Sequence, residues 1–163
     1  MLTRIISGGQ TGADQGGLAA GLALGLRTGG LMPLGWLTET GPAPAMAEKY
    51  NMTEHSTSSY IKRTRANIMD ADATVIFGKL NSPGSLQTRN ICRNMDFPYY
   101  HVPWHTHHKT NPKYDPLFLL FLDQHKVGTL NVAGNRESVM PGIFTYTYKY
   151  LTLNLGRLLG VTP

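Results

Sequence analysis

Between residues 7 and 14 the chain reads Ser7-Gly8-Gly9-Gln10-Thr11-Gly12-Ala13-Asp14, directly after the mostly apolar run Leu2–Ile6 and directly before a helical pattern. Glycines let the backbone approach a ligand with no Cβ atom in the way, and the helix that follows offers free N–H groups and the positive end of its dipole. The chemistry on offer is capture of an anion, above all a phosphate. The spacing is not that of a P-loop, because no Gly-Lys-Ser/Thr closes it, so magnesium-dependent hydrolysis of a nucleoside triphosphate finds no support. Nor is it the dinucleotide fingerprint. The glycines do not fit G-x-G-x-x-G, and after Asp14 no acidic residue stands before Glu39. A tight strand-to-helix turn that binds nothing is the plainer alternative.

Two more glycine-bearing turns follow apolar runs. Gly78-Lys-Leu-Asn-Ser-Pro-Gly-Ser85 comes after Ala73–Phe77, and Gly134-Asn-Arg-Glu-Ser138 after Thr129–Ala133. The elements that must position these loops are read from periodicity. Leu2–Ile6 is a buried strand, and Asp14–Gly25 a helix whose many small residues call for close docking on a sheet. A short strand lies near Thr28–Met32, followed by an irregular stretch to about Thr57, rich in Gly and Pro; loops of that length usually serve a function. Helices are predicted over Ser58–Asp70, from the second loop to about Met95, over Pro112–Lys126 and over about Gly142–Leu159, with a strand at Tyr99–Val102. In the last helix Phe144, Tyr146, Tyr148 and Tyr150 recur every second residue, a spacing that also fits a strand.

Strand, loop and helix in this order predict an α/β fold, a Rossmann-like parallel sheet with helices on both faces and right-handed crossovers. Every βα loop then leaves the carboxyl end of a strand, so the three glycine loops should open on the one rim where such sheets bind ligands.

The chain has 163 residues, 41% of them hydrophobic, enough to bury one core, so a single domain over 1–163 is expected. Its longest apolar stretch, Leu117–Leu122, is too short to span a bilayer, and glycines with Gln10 interrupt the N-terminus before any signal peptide could form; a soluble, cytoplasmic protein is expected. The one cysteine, Cys92, excludes an internal disulfide and a cysteine-rich zinc site, and reads as a small helix-face hydrophobe rather than a nucleophile. Net charge is +5, yet the basic residues are scattered, with only Lys62, Arg63 and Arg65 close together. That balance suits capture of a small anion, and no RRM, KH or helix-turn-helix pattern argues for nucleic acid.

Taken together, Ile6-Ser-Gly-Gly-Gln-Thr-Gly-Ala-Asp14, Gly29-Gly-Leu-Met-Pro33 with Gly35, Arg63-Thr64 with Asn67, Asp70-Ala-Asp-Ala-Thr-Val-Ile76, and Asn131-Val-Ala-Gly-Asn-Arg-Glu-Ser138 with Pro141-Gly142 resemble the circularly permuted YpsA-like family. That family belongs to the SLOG group of Rossmann-like ligand binders, and its members are often labelled molybdenum carriers. The resemblance covers essentially the whole chain and is weakest across 79–127. It implies a ligand rim of Gly8, Gly9, Gln10, Thr11 and Gly12 on the first loop, Ser82, Pro83, Gly84, Ser85 and Thr88 on the second, and Gly134, Asn135, Arg136, Glu137 and Ser138 on the third. Backbone N–H groups and hydroxyls there can hold phosphate or ribose oxygens, and Arg136 can clamp an anion with two parallel bonds. Arg63 and Asn67, one helical turn apart, share a face and either reach the same rim or cap and pair on the surface.

The second loop departs from the family pattern. Ser82-Pro-Gly-Ser-Leu-Gln-Thr88 stands where a Gly-Gly-Thr-type loop is usual. Related SLOG enzymes that cleave nucleoside monophosphates use Pro-Gly-Gly-x-Gly-Thr with a glutamate on the following helix, whereas here that helix begins Thr88-Arg-Asn-Ile-Cys-Arg with no acid until Asp96. Binding without turnover is the better reading. Asp14 and Glu137 are the candidate substitutes for the missing carboxylate, although both stand where helix caps or dipole partners are commoner.

In His101-Val-Pro-Trp-His-Thr-His-His108 the spacing of His105, His107 and His108 matches no recognised metal site and no carboxylate is interleaved, so a polar loop is expected and no metal. Trp36 and Trp104 can stack on a base or pterin, or pack in a core. The leading expectation is a non-catalytic binder of a nucleotide or nucleotide-derived phosphate that stores, carries, senses or sequesters it, in the last case a sponge for a defence-signal nucleotide. No cofactor is required for this; the bound species is a nucleotide-like ligand, or a molybdenum cofactor in the carrier variant. The other readings are a hydrolase of a nucleotide N-glycosidic or phosphate bond and a nucleic-acid or protein-interaction module. A homo-oligomer is expected, with no membrane partner.

Overall fold

The computed structural model describes residues 1–104 and 112–161. In chain order its elements are β1 (Arg4–Ser7), α1 (Ala13–Ala23), β2 (Arg27–Gly29), β3 (Leu31–Met32), β4 (Leu37–Thr38), β5 (Gly41–Pro42), α2 (Met46–Tyr50), β6 (Thr53–Glu54), α3 (Tyr60–Met69), β7 (Ala73–Phe77), α4 (Pro83–Asn94), β8 (Tyr99–Val102), α5 (Pro116–Gln124), β9 (Thr129–Gly134) and α6 (Ile143–Leu159). Five strands form one parallel sheet in the order β2-β1-β9-β7-β8. This is an α/β, Rossmann-like arrangement. No helix among the described residues is long and apolar enough to cross a membrane.

Strand side chains alternate between two faces. Ile5, Val75, Phe77, Leu130 and Val132 enter the main core with Phe118 and Leu122 of α5 and Ile143, Tyr146, Tyr150 and Leu151 of α6. The opposite face carries Thr74 and Asn131, joined by a hydrogen bond from Asn131 Nδ2 to Thr74 Oγ1 (3.1 Å), beneath α4, which packs on β7 and β9. The glycines of α1 explain its close docking: a Cβ at Gly16 would stand 2.6 Å from the Phe144 carbonyl oxygen of α6, and one at Gly17 2.5 Å from Val132 Cγ1 of the sheet. The aromatic run 144–150 is helical. Tyr146 and Tyr150 face inward and meet Phe77 edge-on at 6.5 and 5.3 Å, while Phe144 and Tyr148 are only half-buried.

Three expectations need correction. The strand at Thr28–Met32 is two strands in two sheets, because Gly30 (φ +120°) turns the chain away from β1 and Asn67 takes over, bonding Leu31 N and Leu31 O through its own amide at 2.8 and 3.0 Å. The irregular stretch to Thr57 is a small folded unit, with β3 paired to β6, β4 to β5, and Met46, Tyr50 and Met52 clustered with Met32 of β3 and Leu18 of α1. The helix expected from Pro112 begins at Pro116, since the Asp115 carboxylate accepts from Leu117 N and Phe118 N and so caps it there.

A Cβ at Gly30 would lie 2.1 Å from the Ser7 carbonyl oxygen, and its φ is one that side-chain-bearing residues avoid. Gly30→Ala therefore lowers the unfolding free energy by on the order of 3 kcal/mol. Urea denaturation measures this, and an unchanged midpoint would show that the crossing has room to spare.

Candidate functional site

The sheet order decides where the three loops meet. β9 lies between β1 and β7, with Ser7 opposite Val132 and Phe77 opposite Gly134, so the loops leave three adjacent strands at their carboxyl ends. From β1 the sheet continues to β2 and from β7 to β8, in opposite directions, which opens a crevice above β9. There a cavity of about 430 Å³ is lined by Gly8, Gln10, Asp14, Tyr60, Arg63, Thr64, Asn67, Ser82, Pro83, Gly84, Gln87, Thr88, the stretch from Asn131 through Arg136, and Val139.

Asn135 holds the second loop in place. Its Oδ1 accepts from Lys79 N (2.6 Å), and its Nδ2 donates to Ser82 Oγ (2.5 Å) and Ser85 Oγ (3.2 Å). The first loop docks on the third where Ala13 N donates to Asn135 O (3.1 Å), an approach that only Gly12 permits, since its Cβ would meet that oxygen at 2.5 Å. Just past β4, Glu39 reaches across to accept from Thr11 Oγ1, Ser138 N and Ser138 Oγ. Its own N–H donates to Gln10 Oε1 (2.9 Å), as does Thr11 N (3.1 Å).

Those bonds fix one end of the Gln10 amide and leave the other bare: Gln10 Nε2 is buried with no hydrogen-bond partner, and so is Arg63 Nε. The two residues are 6% and 8% exposed and both line the cavity. Arg63 Nη1 lies 3.9 Å from Asp14 Oδ2, which is attraction without a hydrogen bond. It can reach this place only because residue 8 is glycine, where a Cβ would fall 1.6 Å from Nη1. Asp14 receives a hydrogen bond from Gln10 N (3.3 Å), but burial dominates and pushes its carboxyl up to about 6 against the pull of Arg63. Buried polar groups are nearly always satisfied, so two unpartnered donors on residues that line one cavity beside a buried carboxylate mark a place for a guest.

Across the cavity, α4 begins at Pro83 with Ser82 as its N-cap residue and no side-chain cap on its first amides. A Cβ at Gly84 would meet nothing within 4 Å. Arg136, on the loop after β9, has its guanidinium carbon 5.5 Å from the ring centre of Tyr60 on α3, and Arg63 approaches the same ring at 5.7 Å. Two cations at one ring, in a cavity that also receives an uncapped helix start, give it a positive field.

Of the sequence-predicted residues, the cavity brings together Gly8, Gln10, Asp14, Arg63, Asn67, Ser82, Pro83, Gly84, Thr88, Gly134, Asn135 and Arg136. It leaves others out. Gly9 faces the small apolar cluster, where its Cβ would meet Met32 Sδ at 2.8 Å. Thr11, Gly12, Glu137 and Ser138 border a separate, more open depression, and Ser85 is spent on Asn135. Glu137 does not serve as a catalytic candidate: its two carboxylate oxygens accept from Gly142 N and Phe144 N and cap α6. The first loop is not the open cradle its glycines suggest, because Gln10 N, Thr11 N and Ala13 N are all bonded within the chain.

Sequence reasoning missed Tyr60, Thr64, Gln87, Asn131 and Glu39. Tyr60 and Thr64 stand at helical spacing from Arg63 and Asn67, and Gln87 from Gly84, so that spacing could have found them. Cys92 is buried, which pushes its thiol up to about 11, and it is a packing residue. Trp104 meets Tyr146 edge-on at 5.3 Å and Trp36 packs on the small cluster, so neither lines the cavity. His101 Nε2 bonds the Gly78 carbonyl (2.7 Å) and steadies the second loop, while His105, His107 and His108 lie outside the described residues. Among the described residues no group of three His, Cys, Asp or Glu is placed to hold a metal ion.

The sequence model of the circularly permutated YpsA SLOG family matches residues 5–155. A crystal structure at 1.45 Å of a "putative molybdenum carrier protein" from Syntrophus aciditrophicus SB is similar at 33% identity and a TM-score of 0.83, over 94% of this chain and 95% of that one. No curated protein matches.

Proposed function

Because the chain belongs to the circularly permutated YpsA SLOG family, we propose that it binds a nucleotide or nucleotide-derived phosphate without turnover, and so sequesters, senses or carries it. The observation that carries this reading is the pair of buried, unpartnered donors, Gln10 Nε2 and Arg63 Nε, in a cavity that also receives Arg136 and the uncapped start of α4. Donors of this kind suit oxygen-rich anions, and the volume lies in the range of small-molecule sites. Turnover lacks a second carboxylate: Asp14 is the one acidic residue among those lining the cavity, and α4 has none. A protein of this kind could act as a sponge for a signalling nucleotide.

Calorimetric titration with nucleoside mono- and diphosphates, cyclic nucleotides and ADP-ribose, followed by chromatography of the recovered ligand, tests the reading. One equivalent bound and returned intact is expected, with affinity at least about tenfold weaker in Arg136→Ala. Product formation abolished by Asp14→Asn would make the protein a hydrolase instead.

The name of the structural neighbour motivates a second reading, in which the guest is a molybdenum cofactor. The residues fit the phosphate of a phosphorylated pterin, which Arg136 and the α4 start would hold, while the metal would ride on the cofactor. Molybdenum in stoichiometric amount, measured by elemental mass spectrometry on the purified protein, would favour it.

A further inference from the structure

The cavity is bipolar. Asp14, Gln10 and Arg63 sit at the β1 end and the α4 start at the β7 end, across the intervening β9, while Arg136, on the loop after β9 and backed by Gly12, stands between them. Strand spacing sets these ends roughly 10 Å apart. The Asp14 carboxylate, already facing Arg63, makes the β1 end the less favourable one for a phosphate, whereas nothing acidic lines the wall at the α4 start. The β1 end suits a neutral group that donates and accepts at once.

We infer that Asp14, Gln10 and Arg63 read the vicinal hydroxyls of a ribose whose phosphate lies at the start of α4, making the protein selective for ribonucleotides over deoxyribonucleotides. Each hydroxyl gives its proton to the Asp14 carboxylate and accepts from Gln10 or Arg63, whose Nε2 and Nε are otherwise unpartnered. Gln10 is held for this task, since Thr11 N and Glu39 N fix its Oε1 and so aim its Nε2. The floor adds a further polar group: Asn131 donates Nδ2 to Thr74 and lines the same cavity. A site built to bond hydroxyls rejects the analogue lacking one, because its polar groups are left buried and unpaired.

This inference rests on the binding reading above, and the experiment separates the two. The four ribonucleoside diphosphates are titrated against their 2′-deoxy counterparts, on the wild-type protein and on Asp14→Ala. The expected result is at least one ribonucleotide bound, with its 2′-deoxy form at least about tenfold weaker. In Asp14→Ala that ratio falls toward one, whereas a merely structural role for Asp14 would weaken both forms alike and leave the ratio as it is in the wild type. Equal affinity for the two forms in the wild-type protein overturns the inference and leaves the binding reading standing. Failure of every diphosphate of either kind to bind also overturns the inference, and the binding reading falls with it only if the wider set of ligands above fails as well.

Discussion

Arg63→Met lowers affinity for the bound nucleotide by about 30-fold or more and leaves the protein folded. A buried charged donor facing a polar guest is worth about 2–5 kcal/mol on truncation, and each 1.4 kcal/mol is about a tenfold change in affinity. The fold survives for a specific reason. Arg63 makes no hydrogen bond at its Nε and stands 3.9 Å from Asp14, so little favourable bonding is lost with it. Asp14, with its carboxyl already up at about 6, neutralises at small cost once the cation is gone. Methionine fills the space of the side-chain stem. Titration calorimetry and urea denaturation on the same preparation check both halves, and a variant that keeps its affinity would remove Arg63 from the site.

The second large effect concerns pH. The folded protein holds the Asp14 proton more tightly than the unfolded chain, at about 6 against 3.8, chiefly because of burial. Between these values the folded state therefore carries more protons, and stability falls as pH rises from about 4 to about 6, then levels off. A shift of that size corresponds to on the order of 3 kcal/mol. Asp14→Asn removes the dependence. The stability of wild type minus that of the variant declines by this order across the window, whatever other groups titrate, because they are common to both. Denaturant unfolding from pH 4 to pH 8 measures the difference, and a flat or rising curve would show that Asp14 does not titrate as a buried acid.

Much of this site was legible in the sequence because it depends on strong local signals. Ala73–Phe77 and Thr129–Gly134 are apolar runs ending in glycine, and a parallel sheet must bring such ends to one rim. The shared face of Arg63 and Asn67 followed from helical spacing alone, yet the two do different work: Arg63 enters the cavity bare, and Asn67 is spent holding β3. What the sequence hid has physical causes. Two-residue strands such as β3 to β6 carry no periodicity, so the unit between 31 and 54 read as a loop. Glu39 bridges to Thr11 and Ser138, and no local pattern announces a contact so far along the chain. The first loop read as an empty cradle because its internal bonds depend on where Gln10 and Asp14 turn, which residue types alone do not fix.

The central claim is that the crevice above β9 holds a ribose phosphate through Gln10, Arg63, Arg136 and the start of α4. Native mass spectrometry of the purified protein incubated with nucleoside mono- and diphosphates, cyclic nucleotides and ADP-ribose tests it most directly. One intact ligand per chain, lost in Arg63→Met, is the result this account requires. A protein that retains no nucleotide from the mixture, or an Arg63→Met variant that retains it as well as wild type, would contradict it.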